Sequence, residues 1–154
     1  MRPTSVHGLS AVMAIGVALV ATPGHAAPAL VGTLTCTAEA APAEAKQSAG
    51  WKLSCAFERV NSSSVQQYQG EITGLDKTMR ASGKALLAWN VLTSGAQSDS
   101  ANLIGTYKTT EDAGLPKRSL VGGRDQTVIL QPIDNAEKNV APAVHLMRLD
   151  LPKA

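Results

Sequence analysis

Trp51-Lys52-Leu53-Ser54-Cys55-Ala56-Phe57-Glu58 alternates apolar and polar side chains without a break. That is the period of two of a strand with one face in a core and the other in water. A second stretch, Leu30 to Thr37, matches it as a partner. Leu30, Leu34 and Cys36 fall on one face, and Thr33, Thr35 and Thr37 on the other. If the two strands pair antiparallel with Cys36 opposite Cys55, Leu34 falls opposite Phe57 on the same face. Disulfide parity and hydrophobic parity then agree, as a single register requires. The connection, Ala38 to Gly50, is rich in Ala, Glu and Pro and reads as a surface loop with room for one helical turn.

Working outward, further strands recur at similar spacing. Val65–Thr73 carries Tyr68, Gly70 and Ile72 on one face. Ala85–Thr93 is apolar on both faces around Trp89 and Val91, which predicts a central strand. Leu103–Thr109 alternates Leu103, Gly105 and Tyr107, Val128–Gln131 is short and β-branched, and Ala143–Leu151 closes the set. Between them lie turn residues: Asn61-Ser62-Ser63-Ser64, Ser82-Gly83, Ser94-Gly95, Gly114 with Pro116, and Gly122-Gly123. Seven or eight short strands and no long helix predict an all-β, antiparallel domain, barrel-like or a two-layer sandwich. The short sequence gaps favour the barrel, with consecutive strands as neighbours in a meander.

The first 26 residues have a different character. Arg2 and a polar start lead into an apolar run from Leu9 to Ala21, broken by Pro23-Gly24, and Gly24-His25-Ala26 offers the small residues a signal peptidase requires. The run is short of the ~20 residues that cross a bilayer as a helix. This pattern predicts cleavage after Ala26, export, and a mature domain of residues 27–154. That length suits one domain with its own core. Removing Arg2 from the 14 basic side chains leaves 13 against 12 acidic ones. Such balance argues against nucleic acid as partner and against electrostatic anchoring to a membrane, which need concentrated basic charge. No transmembrane segment is expected in the mature chain.

Cys36 and Cys55 are the only cysteines. In an oxidising compartment an isolated pair is expected to form a disulfide. A lipid-carrying cysteine would sit at the cleavage site, whereas Cys36 lies beyond it, after Leu30-Val31-Gly32-Thr33-Leu34-Thr35.

A set of spaced fragments carries a family resemblance. In order they are Gly32-Thr33-Leu34-Thr35-Cys36, Cys55, Tyr68-x-Gly70-x-Ile72 with Gly74-Leu75-Asp76, and Trp89-x-Val91. Gly105-Thr106-Tyr107, Leu120-Val121-Gly122-Gly123, Leu130-Gln131-Pro132 and Asn139-Val140-Ala141 follow. Together, over Val31 to Leu151, the chain resembles the family known as domain of unknown function 992, small exported proteins mostly from alphaproteobacteria. The resemblance implies a Gram-negative periplasm and implies no activity. Such proteins often carry a Gly/Ala-rich stretch before the Gly-Gly turn. Here that segment is short and charged, from Lys108 through Glu111, Asp112, Lys117 and Arg118.

Candidate chemistry is sparse. His145 is the one histidine left after cleavage, next to Val144 and Leu146 in a predicted strand, and no Gly-x-Ser-x-Gly elbow accompanies it. Two cysteines and one histidine do not make a zinc site, and the single loop carboxylates Asp99, Asp112 and Asp125 do not make a calcium loop. Glycan hydrolysis would need two converging carboxylates, for which Glu71, Asp76 and Asp125 are the candidates. Trp51, Trp89, Tyr68, Tyr107 and Phe57 each sit where alternation puts core residues. Tyr68, Trp89 and Tyr107 are also the candidate wall of a ligand-holding lumen, with Gly70, Gly105 and Ala85 leaving space. Lys117, Arg118 and Arg124, flanking the Gly-Gly turn, are a candidate basic surface, and Lys77, Arg80 and Lys84 form a similar scattered set.

The sequence therefore predicts an exported periplasmic protein that is not an enzyme and needs no cofactor or metal. It is expected to act as an envelope or interaction module, with an envelope protein or a small molecule as partner. A small-ligand-binding barrel is the alternative, and an envelope hydrolase the third reading.

Overall fold

A computed structural model describes residues 27–40, 50–74, 83–94, 102–111, 114–133 and 144–152. The leader, residues 41–49 of the expected loop with its helical turn, and Asp76, Lys77, Arg80, Asp99 and Asp112 lie outside these residues, while Ala38 and Glu39, expected to open that loop, instead continue the first strand. Among the described residues eight strands follow one another: β1 (Ala29–Glu39), β2 (Trp51–Arg59), β3 (Val65–Thr73), β4 (Lys84–Thr93), β5 (Gly105–Thr109), β6 (Leu120–Gly122), β7 (Val128–Pro132) and β8 (Leu146–Asp150). All neighbours are antiparallel, and the sheet closes on itself in the order β1-β2-β3-β8-β5-β6-β7-β4. The choice between barrel and sandwich is thereby settled for the barrel.

The β1–β2 register is the one the sequence demands, with Cys36 opposite Cys55 and Leu34 opposite Phe57. The cysteines are joined in a disulfide with their Cα atoms 4.0 Å apart, the close type of antiparallel pair. Both side chains face inward and are buried. On β2, Trp51, Leu53, Cys55 and Phe57 point into the barrel while Lys52, Ser54 and Glu58 are exposed. On β3, Tyr68 and Ile72 point inward as alternation predicts.

Four further expectations need correction. The order is not a meander. Strands β1–β2–β3 and β5–β6–β7 are consecutive neighbours, but β4 closes the barrel between β7 and β1, and β8 fills the gap between β3 and β5. Three pairs of consecutive strands, β3–β4, β4–β5 and β7–β8, are therefore not neighbours, which sequence spacing cannot reveal. Nor is β4 buried on both sides. Leu87, Trp89 and Val91 face the core, whereas Leu86 is 54% exposed and Ala88 and Leu92 are half-buried on the outside. Closure leaves every strand one inner and one outer face. Leu30 does not share the face of Leu34, because the β1–β4 register shifts between Leu30 and Gly32. A bulge of this kind reverses alternation, leaving Val31 buried and Leu30 exposed. Finally, the Leu120-Val121-Gly122 segment, read only as the approach to a turn, is the short strand β6.

The outer face around β2 holds a regular charge pattern. Lys84 is opposite Glu39, Glu39 opposite Lys52, Lys52 opposite Glu71, and Glu71 opposite Arg148. One row across five strands thus alternates in sign, and its Lys84 Nζ–Glu39 Oε1 pair is 2.9 Å apart. Cross-strand pairs of opposite charge each contribute ~0.2–1 kcal/mol, and a one-residue slip would misalign them all.

Candidate functional site

The barrel interior is the first place to look for a site, and it is filled. Leu34, Phe57, Ile72, Tyr107, Leu120, Leu130, Met147 and others have no accessible surface. A void wide enough for water along these side chains would give them area. Where the sequence suggested space, neighbouring backbone occupies it. A Cβ at Gly70 would run into the Arg148 carbonyl of β8, and one at Gly105 would lie 2.7 Å from the backbone carbon of Gly123. These glycines allow strands to approach closely; they do not open a lumen.

Tyr68, Trp89 and Tyr107 all reside in this interior, at 4%, 3% and 0% exposure. The two tyrosines converge on the backbone of Leu103, expected within the strand but lying just ahead of β5. Ahead of β5, the Ile104 N–H donates to Asn102 Oδ1 at 3.0 Å, an Asx-type turn, and Leu103 between them is fully buried. The Tyr107 hydroxyl donates to the Leu103 carbonyl at 2.8 Å. The Leu103 N–H donates to the Tyr68 hydroxyl across a long 3.5 Å, and that hydroxyl donates to Gln66 Oε1 at 3.0 Å. Burial raises the Tyr107 phenol well above its ordinary pKa, with the neighbouring Tyr68 adding to the shift. Such a group stays protonated and donates; it is a structural clamp. Asn102, a turn-favouring residue ahead of Leu103-Ile104, was the sequence signal for it. Trp89 lies opposite Leu34 of β1 and Pro132 of β7, and no bond joins it to the tyrosine clamp.

The remaining candidates are dispersed. Lys117 and Arg118 are exposed before β6, and Arg124 is exposed after it. Those two connections leave opposite ends of the three-residue strand β6. Glu71 is on the outer face near the Thr73 end of β3, whereas Asp125 is exposed in the β6–β7 turn at the other end. These two carboxylates do not converge. His145 is exposed and precedes β8 instead of lying in it. Its backbone ties elements together, donating to the Thr73 carbonyl at 3.2 Å and accepting from the Thr109 N–H at 3.4 Å. Among the described residues, no three His, Cys, Asp or Glu side chains gather as a metal site would require. No described helix is long and apolar enough to cross a membrane.

Fold and interior together define a small, closed, eight-stranded antiparallel barrel with a packed core and an internal disulfide. The family model described as "Protein of unknown function (DUF992)" matches residues 7–151, nearly the whole chain. The chain belongs to that family. No curated protein matches it, and no solved structure does.

Proposed function

We propose that this is an exported, non-catalytic periplasmic protein that acts through the outside of its barrel. The observation that supports a surface role is the filled interior: side chains around the whole circumference have no accessible area, and a lumenal ligand would need several hundred Å³ of space. The dispersal of Glu71, Asp125 and His145 argues in the same direction. Export is supported by the leader pattern of residues 1–26. A buried disulfide also suits an oxidising compartment.

Native mass spectrometry of the protein isolated from the periplasm of a Gram-negative host expressing the full chain tests both parts. The expected species is the bare chain from Ala27, lighter by two hydrogens. A retained small molecule would turn the assignment to a ligand-binding barrel; finding the chain only in the cytoplasmic fraction, with a mass beginning at Met1, would defeat export.

A further inference from the structure

The two ends of the barrel differ in chemistry. At the end where β1 and β3 begin and β2 and β8 finish lie Leu30 (53% exposed), Val60, Val65 and Leu151. These are four of the five exposed large hydrophobic side chains among the described residues; the fifth, Leu86, is near the opposite end of the outer wall. An open groove runs between Leu30 and Val60. Among the described residues, the connections at this end carry two charges, Arg124 and Asp125, one of each sign. Charges close to the apolar rim balance in sign: Glu58 and Arg59 on β2, Arg124 and Asp125 in the β6–β7 turn, and the paired Arg148 and Asp150 of β8 beside Leu151.

We infer that this charge-balanced rim is a docking surface for a lipid bilayer, through insertion of Leu30, Val60, Val65 and Leu151 at the headgroup boundary. The inference rests on the surface reading above and names the surface and its partner. Two observations favour lipid over a second copy of the chain. The four half-exposed side chains offer on the order of 200 Å² of apolar area, far less than the ~800 Å² each partner gives to a standard interface. A bilayer boundary needs no matching shape and accepts separate apolar side chains around a rim. The position of the leader points the same way. Its apolar run, Leu9–Ala21, joins β1 at this rim through residues 22–28, so a precursor held in the membrane by that run presents this end to the bilayer. Balanced charge makes the attachment apolar, weak and reversible.

The test is co-sedimentation of the mature protein with phosphatidylethanolamine–phosphatidylglycerol vesicles. We expect pelleting that survives about 1 M salt, where the Debye length is only ~3 Å. The Leu30→Ser/Val60→Ser double variant should weaken it at least tenfold, while Leu86→Ser leaves it unchanged. Circular dichroism checks that each variant is folded. Absence of pelleting, or equal loss in Leu86→Ser, overturns the inference. So does a dimer in vesicle-free solution that Leu30→Ser/Val60→Ser abolishes, since the rim would then serve a second copy. Vesicle binding and the periplasmic mass are read separately, so failure of one leaves the other interpretable.

Discussion

The Tyr107 hydroxyl donates a 2.8 Å hydrogen bond to the carbonyl of Leu103, four residues earlier in the same chain. Both groups are buried. The bond holds the segment entering β5 inside the barrel, so Leu103 fills that end of the core.

Removing this bond strands a buried carbonyl. Tyr107→Phe keeps the ring and should cost about 1–3 kcal/mol in urea denaturation. Tyr68→Phe breaks only the longer 3.5 Å contact to Leu103 and the bond to Gln66, and should cost less. Equal losses would refute the hierarchy of the two tyrosines.

The same residue sets an alkaline limit. Burial raises the folded-state pKa of Tyr107 above its unfolded value near 10. Above pH ~10 the unfolded chain loses this proton while the folded chain keeps it, so stability falls as pH rises. Below that pH the contribution is fully present. Denaturation midpoints from pH 9 to 11.5 should decline less steeply in Tyr107→Phe than in the parent.

The disulfide closes a separation of 19 residues. Replacing both cysteines by alanine should cost about 3 kcal/mol in the chain-entropy model. Because both sulfurs are inside the barrel, thiol labelling of native protein under mild reductant should be slow and speed up with denaturant. Fast labelling of the native state would contradict the internal position.

Gly70 of β3 packs against the Arg148 carbonyl of β8. Gly70→Ala must push these strands apart, and a loss of about 1–3 kcal/mol is expected. An unchanged melting temperature would show that the two strands are not held so closely.

Lys52 stands between Glu39 and Glu71 in the charged row. Lys52→Glu places three acids side by side and should cost about 0.5–1 kcal/mol at low salt. The loss should shrink as salt is added. A salt-independent loss would mean that packing, not charge, is responsible.

Local alternation determined much of this protein. The faces of β2 and β3, the pairing of Cys36 with Cys55, and the inward direction of Tyr68, Trp89 and Tyr107 follow from a period of two, which each strand carries in its own few residues. So does the all-β character, since turn residues interrupt every stretch before a helix could form. What tertiary structure alone decided was which strands meet across long gaps: β4 between β7 and β1, and β8 between β3 and β5. Those contacts depend on closure of the whole sheet, which no local window records. Closure turned the apolar outer face of β4 toward solvent and put neighbouring backbone where the glycines suggested a lumen. It also sent Lys117-Arg118 and Arg124 to opposite ends of β6. The bulge after Leu30 added the last reversal, moving an apolar side chain from the core to the rim, because one shifted residue inverts every face before it.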